Sequence, residues 1–492
     1  MYPKLYEVNT RVWIRQFGPT ATLADVPDHY LHHLVSQGID RLWLMGVWQN
    51  CVDIIQEHAF HPNLVETYQQ VLMDWTKDDV IGSPYSIDSY QINAVLGSEE
   101  DLITFRKRVN RAGIKLYLDF VPNHFGASSR HITSNPEVFF EANTRDEKYN
   151  PGDYFFYEPV GKYFFRGKDP YFPPWTDTVQ VNYAESSARQ FMLTQLLRVA
   201  ERCDGVRCDM AMLVINKVFR QTWQNVLTEE QQNFLSDKEE FWIETIKKVK
   251  FKYPKFEFLA EAYWDLEWML QQHGFDYTYD KRLLDRLAFG NSQTILGHLK
   301  ADMHYQNRLT RFIENHDEER ALTKLGLQRS KAAAVIISTL PGMKFYYDGQ
   351  FEGKSVHLPV QLGRSPHEIV LPTLRAFYYR LLNIISLPHF FMGTWTLLDV
   401  QSSGWEDPTY QSLLAWEWHG AVNHFIIIVN YTDGVSSGRI FGEWDGYGQE
   451  VILEDLLNDQ EYLRQVDKLI FEGLSVILNN YQSHIFKVIP VK

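Results

Sequence analysis

The chain has 492 residues, of which 45% are hydrophobic and 22% are charged, and its formal net charge at pH 7 is −14. These values are typical of a globular protein long enough to fold as two or three domains. The acidic balance, with no basic stripe that could neutralise phosphates, argues against nucleic acid or an anionic membrane as a partner.

The sequence also bears on the cellular setting. No apolar stretch reaches the length of about 18 residues that a membrane span requires. A secretory signal has a basic start followed by an apolar run, a pattern that the opening Met1-Tyr-Pro-Lys-Leu lacks. The three cysteines are odd in number and lack metal-binding spacing, which favours reduced thiols in a core. We therefore expect a cytoplasmic protein.

Short runs rich in β-branched and aromatic residues recur along the first 350 residues, separated by amphipathic stretches. Because these runs are apolar throughout rather than alternating, they are typical of parallel strands covered on both faces. Eight such strands alternating with helices predict an α/β fold, the (β/α)8 or TIM barrel. The predicted strands are 6–14, 39–45, 114–121, 205–210, 256–262, 275–279, 310–313 and 343–347.

Two of the intervening helices carry recognisable start signals. Ser187 begins an amphipathic stretch with apolar residues at helical spacing. Ser236 and Glu239 have the spacing of a capping box ahead of a second such stretch, which Pro254 ends. Both stretches are predicted to be helices that cover the barrel.

Two segments depart from this alternation. Residues 125–184 are dense in Pro, Gly, Tyr and Phe, and a stretch of this length without helical period predicts a small inserted domain after the third strand. From residue 394 onward, strands are separated by turns, which predicts a C-terminal all-β sandwich domain. The predicted organisation is a first barrel part at 1–124, the inserted domain at 125–184, a second barrel part at 185–393 and the C-terminal domain at 394–492.

Side chains capable of catalysis follow the predicted strands at their carboxyl ends, where a barrel places its active site. Arg207 and Asp209 lie two residues apart, so they point to the same face, and the guanidinium keeps the carboxylate ionised. Glu261 ends the fifth strand among apolar neighbours, which favour its neutral acid form. One ionised and one protonated carboxyl group are what glycoside hydrolysis requires.

Each of these features also has a purely structural interpretation. An isolated Arg-x-Asp is more often an ion pair than a catalytic pair, Glu261 could bridge to a neighbouring strand, and His124 could close a turn. The catalytic interpretation rests on the coincidence of four such segments in order at strand ends, namely 119–124, 205–209, 259–264 and 314–317.

The four segments resemble, in order, the four signature regions of the α-amylase family of glycoside hydrolases (family 13). They are Leu118-Asp-Phe-Val-Pro-Asn-His124, Gly205-Val-Arg-Cys-Asp209, the run around Glu261, and Phe312-Ile-Glu-Asn-His-Asp317. The likeness extends from residue 6 to about residue 390, and the β-rich tail matches the family's C-terminal domain in position. The set of motifs is specific, although each motif alone is weak.

The resemblance implies catalytic roles for three carboxyl groups. Asp209 would be the nucleophile and Glu261 the general acid/base. Asp317 would hold substrate hydroxyls and stabilise the transition state. The reasoning from residue chemistry agrees on the first two roles and does not rank Asp317.

The resemblance also implies substrate-binding roles. Arg207 would orient Asp209. His124 and His316 would hydrogen-bond the sugar in the −1 subsite, the position on the non-reducing side of the cleaved bond, and Tyr85 would stack beneath that sugar.

The second signature region departs from the family pattern in a way that bears on metal binding. The family often has Lys-His three and four residues after the nucleophile, whereas this chain has Met212 and Leu213. The Lys commonly serves a +2 subsite and the His backbone a calcium ion. Asn123 matches a position that often ligates calcium. We predict that no cofactor is required, and calcium at Asn123 stays open as the alternative.

The sequence therefore predicts a retaining glycoside hydrolase that acts on α-glucosidic bonds, most simply α-1,4 bonds of glucans or maltooligosaccharides, through a covalent glycosyl-enzyme. One alternative is a transglycosylase (glucanotransferase) of the same family, in which a sugar hydroxyl replaces water. The other is a non-catalytic glucan-binding protein on the same scaffold. Linkage and chain-length specificity, endo or exo action and oligomeric state are not predicted.

Overall fold

The computed structural model describes residues 2–142, 150–404, 407–444 and 446–491. In chain order, the strands before residue 394 are β1 (Lys4–Asn9), β2 (Arg41–Met45), β3 (Trp48–Asn50), β4 (Ile87–Ile92), β5 (Lys115–Phe120), β6 (His124–Gly126), β7 (Tyr154–Tyr157), β8 (Lys162–Phe165), β9 (Thr178–Gln180), β10 (Gly205–Cys208), β11 (Glu257–Ala260), β12 (Tyr277–Tyr279), β13 (Leu309–Arg311) and β14 (Met343–Tyr347). The remaining strands are β15 (Thr394–Leu397), β16 (Asp399–Gln401), β17 (Leu413–Gly420), β18 (Asn423–Asn430), β19 (Ser436–Phe441), β20 (Glu450–Asp455), β21 (Gln460–Gln465), β22 (Leu474–Leu478) and β23 (Ser483–Pro490).

The helices surround the barrel or connect the strands. In chain order they are α1 (Thr10–Trp13), α2 (Asp28–Ser36), α3 (Ile55–His58), α4 (Pro62–Val71), α5 (Glu99–Arg111), α6 (Arg130–Ser134), α7 (Ser186–Ala200), α8 (Asn216–Trp223), α9 (Glu229–Asp237), α10 (Phe241–Lys252), α11 (Glu267–Gln272), α12 (Lys281–Phe289), α13 (Ser292–Leu299), α14 (Met303–Gln306), α15 (Ala321–Thr339), α16 (Pro372–Ile385) and α17 (Val466–Glu472). No helix among the described residues is long and apolar enough to cross a bilayer.

Eight parallel strands close into a barrel, which confirms the predicted fold class. Their order around the barrel is β1-β14-β13-β12-β11-β10-β5-β2, and β1 pairs in parallel with both β2 and β14. The strands are buried on both faces, as their continuous apolar runs predict. Large side chains such as Trp43, Tyr279 and Phe345 fill the interior.

Two local predictions were wrong. The first strand ends at Asn9 rather than Ile14, because the chain turns into α1 at Thr10 while the apolar run continues. Ser236 does not cap α10. It lies inside α9, where its hydroxyl donates to the Gln232 carbonyl at 3.0 Å, and the residue before α10 makes no side-chain capping bond.

The segment after β5 contains short elements of its own, as predicted for an insertion. β6 pairs with β9, and β7 pairs with β8 in a hairpin, so the insertion returns to the barrel beside the point where it leaves. The boundaries 125 and 184 stay a prediction.

The C-terminal residues form two sheets, which confirms the predicted all-β domain. One sheet has the order β15-β17-β18-β23-β20-β21 and the other β16-β19-β22. Apolar side chains from both sheets form a common core that includes Leu413, Ile428 and Leu474. The larger sheet docks onto the barrel helices, where Trp418 Nε1 donates to the Thr339 carbonyl at 2.8 Å and the Tyr431 hydroxyl to the Leu287 carbonyl at 2.7 Å.

Candidate active site

The barrel places the reactive carboxyl groups at one level at its carboxyl end. β10 and β11 pair with Cys208 opposite Ala260, so Asp209 and Glu261 are the next residues on adjacent strands. The backbone continues this ladder, because Glu261 N–H donates to the Cys208 carbonyl at 3.0 Å and Asp209 N–H to the Phe120 carbonyl at 2.9 Å. The two side chains therefore emerge side by side.

Arg207 joins the carboxyl groups from below. Its Nη1 lies 2.7 Å from Asp209 Oδ1, and its Nη2 lies 2.9 Å from Glu261 Oε2. Asp317 Oδ2 is more distant, at 3.8 Å from Nη2. The guanidinium is almost fully buried and lies over the rings of Trp43 and Tyr85, 5.2 and 5.4 Å from their centroids. A buried, fixed cation of this kind orients both carboxyl groups through charge-assisted hydrogen bonds.

Glu261 is held in a different environment. Met210 N–H donates to its Oε2 at 2.5 Å and the Tyr263 hydroxyl to its Oε1 at 2.9 Å. Met210 takes a left-handed conformation (φ 42°), a strained backbone that aims its N–H at the carboxylate. Burial raises the pKa of Glu261 to about 7, although Arg207 opposes the rise, and the charges of Asp209 and Asp317 add to it. This is the direction that its apolar sequence neighbours predict.

Asp119 is a further buried carboxyl group at this end of the barrel. Its Oδ2 accepts a hydrogen bond from Gly46 N–H at 2.8 Å, and its Oδ1 lies 3.7 Å from Arg207 Nη1. Burial raises the pKa of Asp119 to about 7, against the opposing charge of Arg207. One guanidinium thus faces four carboxyl groups, two of which are neutral over part of the physiological pH range.

His316 lies beneath the floor of the site with both ring nitrogens engaged. Its Nδ1 is 2.5 Å from Glu7 Oε1, and its Nε2 is 2.7 Å from the Tyr85 hydroxyl and 3.1 Å from Asp317 Oδ2. Burial on its own would lower the pKa of His316, but the charges of Asp317 and Glu7 raise it to about 9. The ring is therefore a cation held between two carboxylates, stacked on Tyr85 at a centroid distance of 5.6 Å.

A cleft of about 330 Å³ lies above these groups. Five of the predicted site residues line it, namely Tyr85, His124, Asp209, Glu261 and Asp317, together with Trp175 and Tyr263. Arg207 and His316 lie below its wall, each about 1% exposed. The cleft brings together residues from 85 to 317, as the strand-end placement predicts.

His124 occupies the opposite wall of the cleft. It is buried against Trp175, with 5.2 Å between ring centroids, and burial lowers its pKa. A neutral imidazole beside Asp209 and Glu261 can donate or accept a hydrogen bond from a sugar hydroxyl.

Asn123 does not have the surroundings of a calcium ligand. Gln180 Nε2 donates to both Asn123 Oδ1 and the Asn123 carbonyl at 3.0 Å, so each of these oxygens already has a hydrogen-bond partner within the protein, whereas calcium needs about six to eight oxygen ligands. Within the described residues, the acidic and histidine side chains near Asn123 form no group of three or more that could hold a metal. The donor set does not fit calcium, and we derive no step through it.

Several residues of the site were not predicted from the sequence, Asp119 and Trp175 among them. Glu7 orients His316 from β1, and Tyr263 binds the carboxyl group of Glu261. The available signals were an acidic residue inside the apolar run Leu5-Tyr-Glu-Val8, and a tyrosine two residues after Glu261 on the same face.

The sequence of this chain is similar to that of known proteins. The α-amylase family's sequence profile, described as "Alpha amylase, catalytic domain", matches residues 29–357, which is more than half of the chain. The chain belongs to the α-amylase family.

Relatives within the α-amylase family are distant in sequence. Alpha-amylase MalA of Haloarcula japonica is 24% identical over 357 residues, covering 71% of this chain and 44% of the relative. The chain spans about half the length of the curated relatives it matches, 44% and 55%. A maltogenic α-amylase, AmyB of Thermotoga neapolitana, superposes with a TM-score of 0.68 at 19% identity over 99% of this chain and 98% of its own.

A Geobacillus thermoleovorans α-amylase, solved with acarbose, superposes with a TM-score of 0.66 at 16% identity over 99% of this chain and 98% of its own. At these identities the solved structures show a shared fold, including the C-terminal domain. They carry no residue assignment by themselves.

Proposed function

We propose that this α-amylase family member is a retaining glycoside hydrolase acting on α-glucosidic bonds of glucans, most simply α-1,4 bonds. One observation carries the proposal. A single buried guanidinium contacts Asp209 at 2.7 Å and Glu261 at 2.9 Å, and the pKa of Glu261 is raised to about 7. The site thus places a carboxyl group of raised pKa beside a second carboxyl group held by the same guanidinium, and two such groups are what the retaining mechanism uses.

The mechanism follows from these two groups. Asp209 attacks the anomeric carbon while Glu261 donates its proton to the leaving glycosidic oxygen, which gives a covalent glycosyl-enzyme and a free sugar end. Glu261, now ionised, then takes a proton from water, whose oxygen attacks the anomeric carbon and releases Asp209. Retention requires the two carboxyl groups to lie about 5–5.5 Å apart in the complex.

Asp317 and the histidines bind the sugar in this scheme. Asp317 is the most exposed of the three carboxylates and hydrogen-bonds sugar hydroxyls beside the cationic His316. His124 binds from the other wall, and Tyr85 supplies an aromatic surface between them. Carboxylates around an anomeric carbon stabilise the positive charge that develops there in the transition state.

The stereochemical test uses proton NMR of the first product formed from a maltooligosaccharide. Retention predicts that the α-anomer appears first and mutarotates afterwards.

Asp209→Asn should lower kcat by at least about 10⁴-fold while substrate still binds, because the nucleophile acts on the chemical step. Asp177→Asn is the matched control, since Asp177 lines the same cleft without contacting Arg207. Its kcat should change less than about fivefold.

Two outcomes would reject the proposal in distinguishable ways. A β-anomer as first product would exclude retention and leave the substrate class intact. Binding of glucans without turnover by the wild-type chain would favour the non-catalytic glucan-binding role.

A second candidate, a glucanotransferase, has one observation in its favour. Tyr171, 62% exposed, meets Trp264 edge-on with 4.9 Å between ring centroids, and Trp264 follows the Tyr263 that binds Glu261. An aromatic pair near Glu261, with Tyr171 exposed and Trp264 half-buried, offers a surface on which an acceptor sugar can stack in place of water.

Product length decides between water and sugar as the acceptor. At high maltotriose concentration, a transferase yields products longer than the substrate, and Trp264→Ala should reduce their share at least about fivefold relative to hydrolysis. Phe172→Ala is the control, because Phe172 is a neighbouring exposed aromatic, 68% exposed, outside the pair. Products no longer than maltotriose at every concentration would leave hydrolysis as the reaction.

A further inference from the structure

The C-terminal domain contains a cluster of histidine and carboxylate side chains remote in sequence from the catalytic residues. Glu417 and His419 lie two residues apart on β17, so they share one face of the sheet. His424 on β18 is directly opposite His419 in the antiparallel ladder. Within the described part of the chain, these three residues are the one group of three or more His, Cys, Asp or Glu whose ligand atoms all lie within 4.8 Å of one another.

From this arrangement we infer that Glu417, His419 and His424 form a site for a divalent transition metal ion, with zinc as the best fit. Two imidazoles and one carboxylate are a ligand set that zinc accepts, with a water completing the coordination. Calcium is disfavoured because it takes oxygen ligands. The site is independent of the proposed catalytic function.

The surroundings of His424 support a ligand role for its Nε2. The Tyr447 hydroxyl lies 2.9 Å from His424 Nδ1, so the opposite ring nitrogen, Nε2, faces Glu417 Oε2 at 2.9 Å. A partner on the second ring nitrogen is the usual way in which a metal-binding histidine is oriented. His424 and Glu417 are both almost fully buried, which fixes their positions.

The loop after β19 covers the cluster. Trp444 packs on His424 with 5.7 Å between ring centroids, and its buried Nε1 has no hydrogen-bond partner among the described residues. A Cβ at Gly442 would be 3.4 Å from Glu417 Oε2, so the backbone passes close over the carboxylate. Glu443, an exposed side chain 4.0 Å from His419 Nδ1, is a candidate to displace the water from the fourth position.

His419 is the ligand that must move. Its ring stacks on His424 at 4.3 Å and 12°, whereas a metal lies in the plane of each imidazole that binds it, so the rings must rotate apart. Ligand atoms around a tetrahedral zinc ion are about 3.3 Å apart. The ligand atoms of the cluster are separated by up to 4.8 Å, so they must move closer together. His419 is free to rotate because its side chain is 28% exposed and makes no hydrogen bond with another described residue.

The site is tested by calorimetric titration of the whole chain with zinc. The protein is first freed of any polyhistidine tag and dialysed against chelator. Wild type should bind one Zn²⁺ per chain at the cluster. His419→Gln and His424→Gln should each weaken binding at least about 100-fold, and Tyr447→Phe about 10- to 100-fold. Asp209→Asn should leave binding unchanged, which separates this site from the catalytic carboxylates.

His484→Gln is the matched control. His484 is a mostly buried histidine paired with the carboxylate Asp455 in the same sheet, but no third ligand joins the pair within the described part of the chain. This variant should retain full zinc affinity. If His424→Gln fails to fold, the half-buried His419→Gln decides. Absence of stoichiometric binding by wild type at about 100 μM zinc, or equal affinity in wild type and His419→Gln, would overturn the inference.

Discussion

At the scale of single residues, Glu261 and Glu267 are two buried carboxyl groups with the same raised pKa and different surroundings. Burial raises the pKa of each to about 7, but only Glu261 contacts Arg207 and lines the cleft with Asp209. A raised pKa alone therefore does not identify the acid. Contact with the guanidinium and a place beside Asp209, the proposed nucleophile, are what distinguish Glu261 as the proposed acid.

The raised pKa of Glu261 gives a prediction about the pH dependence of activity. Because Glu261 must be protonated to assist the leaving group, kcat/KM should fall about tenfold per pH unit above about pH 7. Glu261→Gln should remove that dependence and lower kcat on glucans about 10²- to 10⁴-fold, but less than about tenfold on substrates with an activated leaving group. The measurement is kcat/KM from pH 5 to 9 on both substrate types.

Glu267→Gln is the control for this experiment. It removes a carboxyl group of similar pKa outside the guanidinium network, so the pH profile and rates should match those of wild type. Equal losses on natural and activated substrates in Glu261→Gln would remove Glu261 from the acid role.

His316 gives a second prediction, about stability. Its folded pKa of about 9 lies above the unfolded value of about 6.5, so protonation stabilises the fold. That contribution is fully present below about pH 6.5 and is lost as the pH rises through about 9, amounting to at most about 3 kcal/mol. Urea unfolding should show this loss in wild type and a smaller one in Glu7→Gln, which lacks one partner of the ring. The same pH dependence in wild type and His316→Gln would contradict the assignment.

At the scale of elements, two serines with the sequence spacing of a capping box differ in whether they cap a helix. Ser98 caps α5 in a complete capping box, with its hydroxyl accepting from Asp101 N–H at 3.1 Å and Asp101 accepting from Ser98 N–H at 2.7 Å. Ser98→Ala should therefore lower the free energy of unfolding by about 1 kcal/mol. Ser236→Ala, at the position with the same sequence spacing but no cap, should change it by less than about 0.5 kcal/mol. Denaturation midpoints of the two variants measure the difference.

The same comparison shows what the sequence could and could not predict. The eight strands were predictable because strands buried on both faces require continuous apolar runs. The gathering of the candidate site residues in one cleft was predictable because the carboxyl ends of the strands meet. The end of β1 at Asn9 was not, since apolar residues continue into α1. Ser236 failed because spacing does not reveal which helix contains it. Glu7 was missed because its partner His316 is 309 residues away.

At the scale of the whole molecule, calcium and zinc are expected to differ in their effect on the melting temperature. Both oxygens of Asn123 accept a hydrogen bond from Gln180, and no cluster of acidic side chains adjoins them among the described residues, so we predict that added calcium has no effect on activity or melting temperature after chelation. Zinc should raise the melting temperature by several degrees, because it binds the folded state, and this rise should be absent in His424→Gln. Melting curves with each ion added back measure both effects. A rise with calcium alone would show that the Asn123 region does bind it.

The closure of the barrel between β1 and β14 also has a consequence for the order of events during synthesis. β1 needs both neighbours, and β14 is translated about 340 residues after it. At about 5–20 residues per second, the nascent chain carries an unpaired strand edge for roughly 20 to 70 s. Co-expressed chaperones should therefore raise the soluble yield, because they cover this edge until β14 has been synthesised.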